Sequence, residues 1–201
     1  MIAEGLAFFH IPYDEKAVGD ITFYVTELSK WNDRVNLVGY KDIRNVVRDL
    51  LYDAFFLWGH TCDSLRTLDL GSGSGIIAIP LKILSPGMEV YPVDRSLRKI
   101  QFQRHIKRSL QLEGFFPIHG RIEEVEPLMV DSVVVKAFGA IPAILEMSER
   151  HLNEAGRVFI VKGMAEEAVR AGGFALESVV PYTLPGSGRR YRMFVYRKDG
   201  C

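Results

Sequence analysis

An α/β fold, with a mostly parallel seven-stranded sheet and an N-terminal helical extension, is what this sequence predicts, on three observations. From Leu65 onward short apolar runs alternate with amphipathic stretches, the pattern of strands joined by crossover helices. The first of these runs turns into an apolar helical run through Gly71-Ser72-Gly73-Ser74-Gly75. Two amphipathic helices precede that unit, and no Pro/Gly/Ser-rich linker follows them. One domain is therefore expected over residues 1–201, divided into an extension over 1–60 and a core over 61–201.

Residues 1–13 read as an irregular lead-in. Asp14 is a plausible N-cap, and Val18, Ile21, Val25 and Leu28 follow at helical spacing, so a helix is predicted from Asp14 to about Trp31. Residues 32–40 form a loop, within which Asn36 can bond the local backbone. Asp42 caps a second helix that carries Ile43, Val46, Leu50, Ala54 and Trp58 and ends at Gly59. Leu65 to Leu70 is the first strand, and the helix from Ile76 stops at Ser85-Pro86-Gly87. Glu89 to Asp94 is the second strand despite Pro92, which cannot donate to a ladder. A helix over Ser96 to Leu112 follows, then strands at Phe115–His119 and Val130–Val135. A helix over Ile141–Leu152, a strand at Gly156–Val161 and a short helix after Lys162-Gly163 come next. Phe174–Val180 and Arg190–Arg197, separated by Pro185-Gly186-Ser187-Gly188, close the sheet as a hairpin.

The glycine turn carries the chemistry. With no Cβ at Gly71, Gly73 and Gly75, a flat or anionic cofactor can lie on the main chain at a helix N-terminus. Asp94, at the end of the next strand, is placed to accept hydrogen bonds from ribose hydroxyls. Gly73-Ser74-Gly75-Ile76-Ile77-Ala78 also matches a dinucleotide fingerprint. Asp69 decides against it, because a carboxylate at the strand tip repels a pyrophosphate and suits a ligand with a cationic amino-acid tail. S-adenosylmethionine has that tail, with S-adenosylhomocysteine as its product. The run resembles the first motif of the class I S-adenosylmethionine-dependent methyltransferases, a Rossmann-like fold.

Composition bounds the setting. Of 201 residues 48% are hydrophobic, enough for a packed core without staples. Cys62 and Cys201 are isolated, the five histidines show no ligand spacing, and no metal site is expected. No long apolar run and no basic leader appear, so a cytoplasmic protein with no membrane span is expected. The formal net charge is zero, which is unlike most free RNA-binding chains. The charge is nevertheless segregated: Arg98, Lys99, Arg104, Lys107 and Arg108 share an acid-free helix, and Arg189 and Arg190 begin a second cluster. The plain alternative for each cluster is a solvated face.

Six segments (31–53, 68–81, 93–106, 119–125, 136–142 and 156–163) resemble, in one order, the glucose-inhibited-division protein B family, bacterial enzymes that methylate N7 of a guanine in 16S ribosomal RNA. The WNDRVNL, HGRIEE and KAF runs carry most of that likeness. The resemblance implies S-adenosylmethionine as donor and 16S rRNA in the small ribosomal subunit as partner; separately from it, a monomer is expected. It implies that Gly71 and Ile76 line the donor pocket, that Asp94 binds the ribose, and that Ile122 and Glu123 hold the adenine. Lys136 faces the donor where the family has arginine, and Asp49 stands where it has histidine. Gln101 stands where the family tends to have arginine.

Guanine N7 carries a free lone pair, so no general base is required and no catalytic acid or base is assigned. Lys136, Arg121 and Lys162 are candidates for positioning donor or RNA, the alternative for each being an ion pair. The basic residues of the two clusters would contact phosphates. Competing readings are a methyltransferase for a small molecule or protein, and an RNA-binding protein that keeps the donor pocket without turnover.

Overall fold

The computed structural model describes residues 1–40, 42–136 and 138–200; Cys201 and Ala137 of the 136–142 segment lie outside them. The core is a seven-stranded sheet in the order β3-β2-β1-β4-β5-β7-β6. Its strands are β1 (Arg66–Leu70), β2 (Glu89–Asp94), β3 (Ile118–His119), β4 (Val130–Lys136), β5 (Leu152–Gly163), β6 (Phe174–Thr183) and β7 (Arg190–Lys198). The first five pair in parallel, and β7 runs antiparallel between β5 and β6. The expected mostly parallel sheet with a terminal hairpin is therefore present.

Alternation along each strand builds two cores. Val134, Phe159, Val161, Met193 and Val195 face the extension, α5 (Ala78–Leu84) and α6 (Leu97–Ser109). Their neighbours Val133, Val135, Val158, Ile160, Phe194 and Tyr196 face α7 (Ile141–Glu149). Pro92 is tolerated for a visible reason. Val90 N–H bonds Gly114 on the β3 side, so two residues on Pro92 lacks its donor on the same side, where β3 is only two residues long. The rest of the expected third strand is reduced to an isolated bridge between Val90 and Phe115.

The extension departs from expectation at its start. Residues Ile2–Phe8 form helix α1, whose Gly5 lies so close to Tyr52 that an added Cβ would clash with its ring at Cε1. Helix α2 spans Glu15–Val35, capped by Asp14 Oδ1 accepting the Ala17 N–H, and stops only at Asn36 in the left-handed conformation (φ 48°). Asp42 caps α3 (Ile43–Val46), which passes through a π turn (Val47–Leu51) into α4 (Tyr52–Thr61), so Gly59 lies inside the helix and does not end it. At the far side of the sheet, β5 begins at Leu152 rather than Gly156, because Val130 already pairs with Leu152 before a register shift. The expected short helix after Gly163 is absent: residues 164–170 are a turn and irregular chain. Among the described residues no helix is long and apolar enough to cross a membrane.

Candidate functional site

The parallel strands deliver their following loops to one edge, and the strand order reverses between β1 and β4. A cleft of about 360 Å³ opens there. Asp69, Gly71, Gly73, Ile76, Lys99 and Lys136 line it, with Leu37–Tyr40 and Leu50 of the extension forming the opposite wall.

The glycine loop is held from several directions. Gly71 and Ser72 donate to Val93 O, and Gly73 N–H donates to Asp94 Oδ2 at 2.8 Å. Asp94 Oδ1 accepts the Ser96 N–H at 2.7 Å, so this carboxylate ties the loop to the start of α6. Gln103, fully buried on α6, donates to Ser72 Oγ at 2.9 Å and to Gly73 O at 2.8 Å. Tyr24 OH reaches Ser74 O from α2. All three glycines have positive φ: 74° at Gly71, 59° at Gly73 and 79° at Gly75. They differ in what surrounds them. An added Cβ at Gly73 would meet only Lys99 Nζ at 3.9 Å, whereas at Gly75 it would strike Ile79 Cδ1 at 2.7 Å. Gly73 thus presents bare backbone to the cleft, while Gly75 permits close packing of loop and helix.

Asp69 is buried, and its Oδ2 accepts the Ala78 N–H at 3.1 Å. Burial pushes its carboxyl up to about 7; the Ala78 hydrogen bond opposes the rise and the charge of Asp94 adds to it. Its carboxylate therefore gains from a cation brought into the cleft. Burial likewise pushes the Tyr24 phenol above its ordinary range and keeps it a donor.

Ile122 is buried in a short 3₁₀ turn, and Glu123 beside it is exposed, 3.9 Å from Arg121 Nε. Both follow β3, next to the Asp94 loop, and Gly120 N–H bonds Asp94 O. They stand outside the lining of the cleft, as do Gly75 and Asp94. Two of the three positioning candidates are engaged within the protein. Lys136 lines the cleft, and its Nζ forms a contact ion pair with buried Asp53 Oδ2, without hydrogen-bond alignment. Lys162 Nζ donates to Phe138 O at 2.8 Å and to Gly139 O. Arg121 faces solvent beside Glu123.

Of the basic residues, Arg98, Arg104, Arg108, Arg189 and Arg190 are exposed. Lys99 belongs to the cleft, and Lys107 sits over the Phe116 ring at 5.2 Å. Arg189 pairs with buried Asp49 at 3.3 Å and covers Tyr40 at 5.7 Å. The sequence reading missed Gln103, whose amide in a basic helix that also carries Gln101 gave no signal, and Asn32. It is Asn32, not Asn36, that ties the 32–40 loop, donating to Tyr40 O and accepting the Val38 N–H, both at 2.8 Å. Among the described residues no group of three or more His, Cys, Asp or Glu side chains is placed to hold a metal ion. A polar depression of about 290 Å³ at the amino ends of the strands includes Asp131, whose oxygens are already filled by Leu65 N, Arg66 N and Asn153 Nδ2.

Residues 18–190 match the model of a family described as rRNA small subunit methyltransferase G. A ribosomal RNA small subunit methyltransferase G from Geobacter sp. strain M21 is 31% identical over 199 residues, covering 94% of this chain and 92% of that one. The protein of the same description from Syntrophotalea carbinolica is 32% identical over 197 residues, covering 92% and 91%. The fold is similar to that of a SAM-dependent methyltransferase from Aquifex aeolicus (TM-score 0.61, 14% identity, 87% of this chain and 98% of that one). It is also similar to that of MtNAS in complex with MTA and tNA (TM-score 0.61, 17% identity, 92% and 70%).

Proposed function

The chain belongs to the rRNA small subunit methyltransferase G family, and from that premise we propose that it moves a methyl group from S-adenosylmethionine to N7 of a guanine in 16S rRNA. The reading has it act as a monomer in the cytoplasm, without a metal. The observation that carries it is the cleft at the strand-order reversal, with a buried carboxylate and bare glycine backbone side by side.

That surface fits the donor. Gly73 leaves room that a side chain would fill, and Asp69 offers the negative charge that an ammonium requires and a pyrophosphate opposes. When bound, the donor supplies an electrophilic methyl group on a sulfonium. Asp69 would hold its amino-acid end. Asp94 keeps lone pairs for ribose hydroxyls beyond those that accept Gly73 and Ser96, and Ile122 and Glu123 would flank the adenine. Guanine N7 has no proton to lose, so no side chain has to take one. The protein's task is to orient two reactants and keep water out, which can supply most of the barrier reduction. Exposed Arg98, Arg104, Arg108 and Arg190 would meet phosphates, with Lys107 beside them, Lys99 spanning donor cleft and RNA, and Arg189 reaching RNA only with the edge that Asp49 leaves free.

The test is transfer of labelled methyl to small ribosomal subunits lacking this modification, with the modified base mapped. Label on N7 of one guanine supports the reading. Donor binding without transfer to rRNA removes the substrate assignment. The second reading, an RNA-binding protein without turnover, draws on Lys136, whose ammonium is turned to Asp53. Intact binding of rRNA with no transfer to any subunit preparation would favour it.

A further inference from the structure

We propose that the Phe138 ring is the platform on which the target base stacks, and that Lys162 is the latch that sets it. The proposal rests on the rRNA methyltransferase reading above. Phe138 follows the carboxyl end of β4 and remains 37% exposed, a large apolar side chain in water beside the cleft. Its ring abuts the glycine loop: a Cβ on Gly71 would come within 3.2 Å of Cδ2 and 3.3 Å of Cγ. The turn that carries it is pinned. Lys162 on β5 donates to the carbonyl oxygens of both Phe138 and Gly139, and Gly139 itself is left-handed at φ 48°. A lysine that gives two donors to one exposed turn holds that turn at a set height above the sheet.

The other rings near the cleft are less free. Tyr40 has Arg189 over one face, and Tyr24 is fully buried. A guanine in rRNA must leave its stack to bring N7 to a donor in the cleft, and an exposed aromatic ring replaces the lost stacking. Such stacking is worth ~1–3 kcal/mol per base, or about 5- to 150-fold at ~1.4 kcal/mol per decade. Lys162 acts only through the ring and is a positioning residue.

The experiment compares wild type with Phe138→Leu, Phe138→Tyr, Lys162→Met and Lys162→Arg. Three readouts are taken: methyl transfer to small subunits lacking the modification, affinity for S-adenosylhomocysteine by calorimetry, and the thermal midpoint. Phe138→Leu should lower kcat/KM about 5- to 150-fold, with S-adenosylhomocysteine affinity within about twofold. Phe138→Tyr, which keeps the ring, should hold the wild-type rate within about threefold. Lys162→Met should lower kcat with KM for subunits little changed, and Lys162→Arg should restore it. Full activity of Phe138→Leu would overturn the platform, since apolar bulk alone would then suffice. A parallel loss of S-adenosylhomocysteine affinity would overturn it too, because the ring would then belong to the donor. Full activity of Lys162→Met would overturn the latch. If wild type itself transfers nothing to subunits, the function proposed above fails first and takes the platform with it.

Discussion

Replacing Lys136 by Met removes the counter-charge from a carboxylate that has no access to solvent. Asp53 is fully buried and the Lys136 side chain is 13% exposed, so neither charge is hydrated in compensation. Asp53 Oδ1 accepts from Tyr182 OH, and burial together with the Asp53 charge pushes that phenol well above its ordinary range, so it stays a donor. Methionine keeps the unbranched stem, which confines the loss to the charge. Breaking one side of a buried pair costs ~3–5 kcal/mol, against ~0–1 kcal/mol for an exposed one. In a chain of this length that lowers the thermal midpoint by roughly 6–20 °C. The assay is urea unfolding of four proteins: wild type, Lys136→Met, Asp53→Asn and the double variant. The double variant removes both charges and keeps an acceptor for Tyr182, so it should be more stable than Lys136→Met alone by ~2 kcal/mol. A Lys136→Met protein within ~1 kcal/mol of wild type, or a double variant whose loss equals the sum of the singles, would refute the reasoning.

Asp69 gives a pH signature. Its carboxyl sits at about 7 in the fold against an ordinary value of 3.8, so between those values the native state binds the extra proton. Stability should therefore fall as pH rises from about 4 to about 7, and urea midpoints of Asp69→Asn should be flatter over that window. The loop glycines should separate fold from binding. Gly75→Ala combines a left-handed residue with a 2.7 Å approach to Ile79 and should lose ~2–4 kcal/mol of stability. Gly73→Ala should lose only ~1 kcal/mol and act mainly on S-adenosylhomocysteine affinity, so equal stability losses for the two would contradict the assignment. Asn32→Ala removes both bonds that close the 32–40 loop, and calorimetry should find donor binding weakened alongside a stability loss of ~1–3 kcal/mol.

What was legible in the sequence was whatever local pattern decides. The run from β1 through the glycine turn to α5, β2 and Asp94 could be read because strand period, turn chemistry and helix period change over within a few residues. The hairpin of β6 and β7 could be read from Pro185-Gly186 between two β-rich runs. Helix α1 was missed because only Gly5 and Leu6 of its seven residues are buried, too few for a period to show. Asn32 was missed because the expected helix stops near Trp31 and leaves it as one more loop residue, whereas α2 runs on to Val35 and the Asn32 side chain reaches forward from its last turns to Val38. The tie between Asp53 and Tyr182 spans most of the chain, and nothing near either residue announces it.

The helical extension is a wall of the site as much as an appendage to the core. Leu37–Tyr40 and Leu50 close the cleft opposite the glycine loop, and Trp31 packs on Phe102 of α6 with ring centroids 5.4 Å apart. Buried acids on its π turn and α4 then reach the far end of the chain. Asp49 takes Arg48 at 3.0 Å and Arg189 at 3.3 Å, and Asp53 takes Lys136 and Tyr182. The two acids lie one turn apart, so a single helical face grips both the tip of the β6–β7 hairpin and the end of β4. Arg189 is consequently more than a phosphate contact in waiting. It braces Tyr40, a lining residue of the cleft, against the hairpin, and its loss should reach the donor site through that wall as well as the RNA through its charge.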